Sequence, residues 1–269
     1  EFDRTRGRAM VESLDLSFAD SRLHLSGSVE RVPGAPELDV VVALERSRLE
    51  DLMALARRFW GSTGTWNLSG RTDGLLTVQG RWSERRYGGF VSAREVRLTT
   101  PSGTFPVSEM ALRIDHNEAR LAPVRLTLAP RVELVAEGVL RGSGGNLSKG
   151  PKNDSPPRYE LSLTAKAIPL RELVRLGRAV GVRAAQEVDA TGIGAAAFRL
   201  AGSAWPIAPP NVSGTFDLRA ARLLVPGLTE PLNLPRARLQ VNGDRITVDP
   251  VVAVIGTSVF TGRLEHQGE

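Results

Sequence analysis

The sequence predicts a mainly β protein: one long curled antiparallel sheet, a β-taco or groove, built from two tandem repeats that each carry one short amphipathic helix. Three observations carry this. Apolar and polar residues alternate with period two through most of the chain, as in half-buried strands. Only two stretches change to helical spacing. The same order of features recurs after about 120 residues, as in a duplicated unit with loop insertions.

The recurrence is read from residues in matching order. Leu38 to Leu44, followed by an amphipathic stretch through Leu49, Asp51, Leu52 and Leu55, returns as Tyr159 to Ala165 followed by Leu170, Glu172, Leu173 and Leu176. Gly74 to Gly80 answers to Ala196 to Gly202, and Gly89, Arg94, Arg97 and Pro101 answer to Gly214, Arg219, Arg222 and Pro226. Arg22 to Val29 resembles Glu133 to Leu140, with Gly27 answering to Gly138. The first unit spans 11–140 and the second 158–269, continuous with it. Between them, 141–157 is rich in Gly, Pro, Ser, Asn and Lys and reads as a flexible polar loop. Glu1-Phe2 reads as a cloning scar and the repeat is under way near Val11, so the chain is expected to be a segment of a longer protein.

In chain order, Leu14–Phe18 and Arg22–Ser26 alternate about a tight hairpin at Asp20-Ser21. Met110–Ile114, Arg120–Leu121, Arg125–Leu128 and Val132–Ala136 carry the same pattern. It continues in Glu160–Ala165, Phe216–Leu218, Ala237–Val241, Arg245–Val248 and Val259–Leu264, with Asn117-Glu118 and Asn242-Gly243-Asp244 as turns of a long meander. In the first helical stretch Leu49, Leu52, Met53, Ala56, Phe59 and Trp60 share a face, and Ser47 with Glu50 forms a capping box at its start. The second opens at Pro169, with Leu170, Leu173, Val174 and Leu176 as its apolar face.

At 269 residues, with 41% hydrophobic and 24% charged, the chain can bury a sizeable core. Its net charge of +5 comes from arginines scattered without interleaved aromatics, which argues for a GC-rich genome and against a nucleic-acid partner. The absence of cysteine excludes disulfides and thiolate metal sites. No apolar run approaches the ~18 residues of a membrane span.

No catalytic constellation assembles, so the protein reads as a non-enzyme that needs no cofactor or metal. His24, His116 and His266 stand apart, without the clustered partners a metal needs. Gly70, Gly74 and Gly80 suit strand ends and bulges rather than a phosphate loop. Asp39, Glu45, Asp115, Glu133, Asp217 and Asp249 occupy outward or turn positions with no acid–base pairing, and no serine sits in a Gly-x-Ser-x-Gly elbow. Asn67, Asn146 and Asn211 head Asn-x-Ser sequons of the kind that occur by chance. Of the tryptophans, Trp60, Trp66, Trp82 and Trp205, the last two follow Gly80 and Gly202 and read as packing residues; stacking on sugars is the alternative. Arg57-Arg58 and Arg85-Arg86 read as solvated faces, with lipid headgroups as the other reading.

A meander of this length has one apolar and one polar face, and sheets beyond about ten strands curl or split. Two short helices cannot cover that face. It therefore either closes as a sandwich or lines a trough, and both readings stay open. The lining would be smooth and aliphatic: Leu76, Val78, Leu98, Leu112, Ile114, Leu126 and Leu128 in the first unit. In the second it would be Leu161, Leu163, Phe198, Leu200, Leu218, Leu223, Leu239, Val241, Ile246 and Val248. Such a trough suits acyl chains, since each methylene withdrawn from water contributes about 0.8 kcal/mol. These are the candidate lipid-binding residues. The reading from a different class is a structural or glycan-binding β-rich module with a closed sandwich core.

The run Tyr159 to Leu173 resembles the strand-then-helix figure of the AsmA-like family, the repeating β-groove, bridge-like lipid transfer proteins. So does Val212 to Leu223, followed by Pro226-Gly227-Leu228 and by Asn242 to Ile246, with its order of glycine, strand, bulge and next hairpin. The resemblance covers about Val11 to Gly268. It implies a periplasmic body in a bacterial envelope, with the parent protein anchored in the inner membrane. It also implies phospholipid movement between the inner and outer membranes as part of outer membrane biogenesis. The family brings no catalytic residues.

Overall fold

The computed structural model describes residues 2–3, 7–31, 36–60, 67–101, 103–116, 118–130, 132–142, 157–179, 189–204, 210–224, 227 and 229–267. The first half contains β1 (Phe2–Asp3), β2 (Arg8–Phe18), β3 (Ser21–Glu30), β4 (Glu37–Arg48), α1 (Leu49–Trp60), β5 (Asn67–Arg81), β6 (Arg86–Thr100), β7 (Gly103–Pro106), β8 (Met110–His116), β9 (Glu118–Ala129) and β10 (Val132–Arg141). The second contains β11 (Arg158–Pro169), α2 (Leu170–Ala179), β12 (Asp189–Ser203), β13 (Asn211–Leu224), β14 (Leu232–Asn242), β15 (Arg245–Ile255) and β16 (Ser258–Gln267).

The strands form one antiparallel 16-stranded sheet in sequence order, with β7 hanging off β6, and it does not close into a barrel. The protein is mainly β with two short helices, as the alternation and the two helical stretches predict. Both helices start where a strand ends at the same side of the sheet: α1 after β4, α2 after β11. That side is called here the helix end. The sheet runs without interruption from β10 to β11, because Arg141 pairs with Arg158; of the polar loop, 143–156 lie outside the described residues.

The strands that run toward the helix end share a device. In β2, β4, β6, β9, β11, β13 and β15 the register slips by one extra residue part-way along the strand, close to the helix end in β4 and β11. On β11 Ala165 and Ile168, three positions apart, face Ala196 and Gly194, two apart. The extra residue adopts positive φ at Arg46, Glu95 and Ala220. A bulge adds local twist and bends its strand, and these lie in one line across the sheet. This line corrects the strand boundaries that alternation suggests: Arg120–Leu121 and Arg125–Leu128 are one strand, and the strands of Phe216–Leu218 and Arg245–Val248 continue past their bulges.

One face of the sheet is apolar throughout, and its burial changes at the bulge line. At or beyond the line toward the helix end lie Leu44, Val96, Leu128, Leu134, Ala165, Ile168, Leu218, Ala221, Leu234 and Ala237, all buried. All but Leu44 and Val96 fall in two clusters. The first centres on Ile168 with Phe105, Leu128 and Leu134; the second centres on Leu170, the first residue of α2, with Leu218 and Ala237. Away from the line, among the described residues, the same face is half-buried in most strands, Ala119 being buried, while in the outlying β2 Val11, Leu14 and Leu16 are exposed on both sides of the bulge.

Helix α1 is fixed by polar contacts, and not by the capping box expected of Ser47 and Glu50. The Ser47 hydroxyl donates to the Arg22 carbonyl at 2.9 Å, while Ser21 accepts from the Arg48 N–H and donates to Asp51 at 2.7 Å. Glu50 accepts from the Gly70 N–H on β5 at 3.1 Å and from Arg48. The helix begins one residue later than the capping box requires, so both side chains reach across strands instead. Burial pushes the Glu50 carboxyl up. Its own backbone N–H, Arg48 and the Gly70 N–H outweigh that and hold it below the ordinary carboxylate range.

Candidate functional site

The candidate residues are brought together by register. Leu44, Gly74, Val91, Leu112, Leu121, Gly138, Leu161, Leu200 and Val212 are successive cross-strand partners, an apolar row that crosses nine strands from β4 to β13. A second row runs Ala136, Leu163, Phe198, Gly214, Val241 and Ile246 across β10 to β15. Neighbouring strands lie about 4.8 Å apart, so each row is a continuous strip.

Leu76, Val78, Leu112, Ile114, Leu161, Leu163, Phe198, Leu200, Leu239, Val241, Ile246 and Val248 are half-buried on the open side of the bulge line. Leu98, Leu126 and Leu223 are also half-buried but lie toward the helix end. Leu128 and Leu218, at 4% and 5% exposure, belong to the packed clusters and present no surface to a ligand. The rows also contain Val91, Leu121 and Val212, which the candidate set omits; alternation alone could have found them, as each stands two positions from a residue on the same face.

Gly214 breaks the second row, and Gly89 breaks the neighbouring row between Leu76 and Ile114, for a steric reason. Gly89 has φ +129 and a Cβ there would stand 2.0 Å from the Leu75 carbonyl oxygen; Gly214 has φ +155 and a Cβ would stand 2.2 Å from the Ala197 carbonyl oxygen. No other residue fits either position without moving the neighbouring backbone.

The opposite face is polar and held by ion pairs. Glu118 takes Arg120 and Arg141, and Glu160 takes Arg141 and Arg199, a ladder across β9 to β12. The Arg120 guanidinium holds the Glu118 carboxyl below its usual range. Arg238 grips Asp217 through two bonds of 2.6 and 3.3 Å and lowers its pKa in the same way. An open concavity of about 1040 Å³ lies on this polar face, with the exposed Phe90 beside Arg113, Arg120, Arg141 and Glu137. Its lining is mixed in charge and takes in two of the lipid candidates, Leu112 and Ile114.

The residues weighed for other chemistry are placed as follows. Two of the histidines have a partner that the sequence did not suggest: His24 Nδ1 lies 2.9 Å from Asp15, its cross-strand neighbour, and His116 Nδ1 lies 2.5 Å from Asp115. Both pairs are exposed. Among the described residues no group of three His, Cys, Asp or Glu could hold a metal ion. Trp82 is not the packing residue its position after Gly80 suggests. It is 55% exposed in the turn after β5, with the Arg85 guanidinium 4.3 Å over its ring, so a sugar would have to compete for that face. Trp66, Trp205 and Asn146 lie outside the described residues. No helix among the described residues is long and apolar enough to cross a membrane.

Compared with family models, with curated proteins and with solved structures, the chain matches none of them.

Proposed function

We propose that this chain is a non-enzymatic lipid-conducting segment. In this reading its apolar face curls along the bulge line into a groove that holds phospholipid acyl chains and lets them slide from strand to strand. One observation carries it: the apolar rows stay only partly buried over most of the sheet, while the fully buried clusters lie toward the helix end, with Leu163, Phe198, Leu239 and Val248 packed against their margin. A sandwich core would bury those side chains, and a soluble protein rarely leaves a contiguous apolar strip of this extent open to water without a use for it. The strip offers no donors or acceptors among its side chains. It therefore favours hydrocarbon without selecting a headgroup, and each methylene it shelters contributes about 0.8 kcal/mol.

A duplicated unit would make the groove continuous. Support comes from features that recur in order: α1 starts at Leu49 and α2 at Leu170, positive-φ bulges stand at Glu95 and Ala220, and kinked glycines at Gly89 and Gly214. The strand-helix figure of AsmA-like proteins extends the proposal to a periplasmic site in a bacterial envelope, between an anchor in the inner membrane and the outer membrane.

The test is native mass spectrometry of the chain purified without detergent, before and after solvent extraction. The proposal expects bound phospholipid, with Leu163→Asp and Leu239→Asp lowering occupancy about tenfold, since a carboxylate in an acyl path costs several kcal/mol. Ser162→Asp and Gln240→Asp, on the other face, should leave occupancy unchanged. Lipid-free protein from the outset, or equal losses in all four variants, would contradict it.

A further inference from the structure

Two rows of outward-facing residues occupy equivalent places on the polar face, and they differ in charge balance. In the first, Arg48, Arg71 and Arg94 are successive cross-strand partners. Like charges placed opposite one another destabilise a sheet, and here each arginine has a carboxylate. Arg48 pairs with Asp20 and Glu50, Arg71 with Glu95, and Arg94 with Glu109.

In the second row Ile193 faces Arg219, which faces Arg236. The bulge residue here is Ala220, in the same positive-φ conformation as Glu95, so the carboxylate that serves Arg71 has no counterpart. Among the described residues the side chains of Arg219, Arg236, Arg222 and Lys166 form no hydrogen bond or ion pair, although the charges of Arg219 and Arg236 reach Asp217. Lys166 shares a shallow hollow with Ile193 and Arg219. The neighbouring carboxylates are Asp217, bonded to Arg238 and lining the hollows of Lys166 with Arg219 and of Arg236 with Arg238; Asp249, in the second of those hollows; and Glu172, which shares a hollow with Arg222 and Leu224 and pairs with Arg171 and Arg175, while Asp189, at the start of β12, has an interaction of its own.

Two large apolar side chains stand among these cations. Ile193 and Leu224 are each 53% exposed on the same polar face, where alternation would place a polar residue. Here cations outnumber the carboxylates near them, an excess that attracts anions, but a soluble anion gives isoleucine and leucine nothing to contact. An anionic bilayer satisfies both, with phosphates at the arginines and the aliphatic tips at the acyl boundary. We propose that Lys166, Arg219, Arg222 and Arg236, with Ile193 and Leu224, dock the outer face of the sheet on an anionic phospholipid surface. This contact is separate from the apolar groove, and it stands whether or not the groove carries lipid.

Cosedimentation with vesicles tests it, using phosphatidylcholine alone and phosphatidylcholine doped with phosphatidylglycerol. The chain should bind only the doped vesicles, and binding should weaken steeply with salt. The R219A/R236A double variant should lower partitioning about tenfold or more, at roughly a tenfold step for every one to two cations removed. I193S should lower it severalfold. The R71A/R94A variant removes as much charge from the balanced row and should bind like the unaltered chain. Circular dichroism melts verify that each variant is folded. Absent binding to doped vesicles, equal losses in the two double variants, or retention by duplex DNA in place of vesicles would each overturn the assignment.

Discussion

Gly214→Val is expected to destabilise the chain by about 4 kcal/mol or more, enough to leave much of it unfolded at ambient temperature. The backbone of Gly214 has φ +155, in the region that side chains avoid, and a β-branched residue is the least tolerant of it. Its Cβ would meet the Ala197 carbonyl oxygen at 2.2 Å and the Phe198 Cα at 2.7 Å. Those atoms belong to the β12 backbone, which is hydrogen-bonded on both sides and cannot yield as a side-chain tip can. Gly89→Val should behave alike, with the Leu75 carbonyl oxygen at 2.0 Å. Gly262→Ala supplies the contrast. It lies in edge strand β16 with nothing within 4 Å of a Cβ, and should change stability by no more than about 0.5 kcal/mol. Urea titration followed by circular dichroism reads all three, and equal midpoints would contradict the steric reading.

The second large effect separates the packed end of the sheet from its open face. Ile168 is fully buried beside Phe105, Leu134 and Ala165, so Ile168→Ala removes apolar contact and leaves a cavity, at a cost of about 3 kcal/mol. Leu163 lies on the same strand and the same face, one bulge away, but is only partly buried at the margin of that cluster. Leu163→Ala should cost about 1 kcal/mol, because no closed cavity forms and water already reaches the site. A sandwich core would make the two losses similar. The pair therefore reports on architecture through a stability measurement that needs no ligand.

Much of the sheet was legible in sequence, for one physical reason: side chains on a pleated strand alternate, so a face buried on one side writes itself as period two. Leu161 and Leu163 with Leu200 and Phe198 fall opposite each other as that rule requires. Both helix starts were also visible, since Leu49 and Leu170 begin a change to helical spacing. Most of the bulges are not legible, the one in Val212–Leu223 being read only through the family resemblance. A bulge advances the apolar face by three residues where two are expected, so Leu121 to Val124 or Leu218 to Ala221 looks like the end of one strand and the start of another. Alternation also cannot tell a buried leucine from a half-exposed one. Leu128 and Leu218 entered the candidate set beside Leu112 and Leu161, and only the position of the bulge line separates them. Pairings such as His24 with Asp15, or the unbalanced Arg219 with Arg236, depend on register and were beyond reach of the sequence.

The central claim is that acyl chains lie along the apolar rows, and photo-crosslinking across the pleat tests it most directly. A photoreactive residue would replace Leu112, Leu163 or Leu239 on the apolar face, and Arg113, Ser162 or Arg238 as neighbours on the polar face. Irradiation of cells making the chain, followed by mass spectrometry, reads the adducts. The account predicts phospholipid adducts at the three leucine positions and none at their neighbours, an alternation with the period of the strand itself. Adducts at neither set, or at both sets equally, would contradict it.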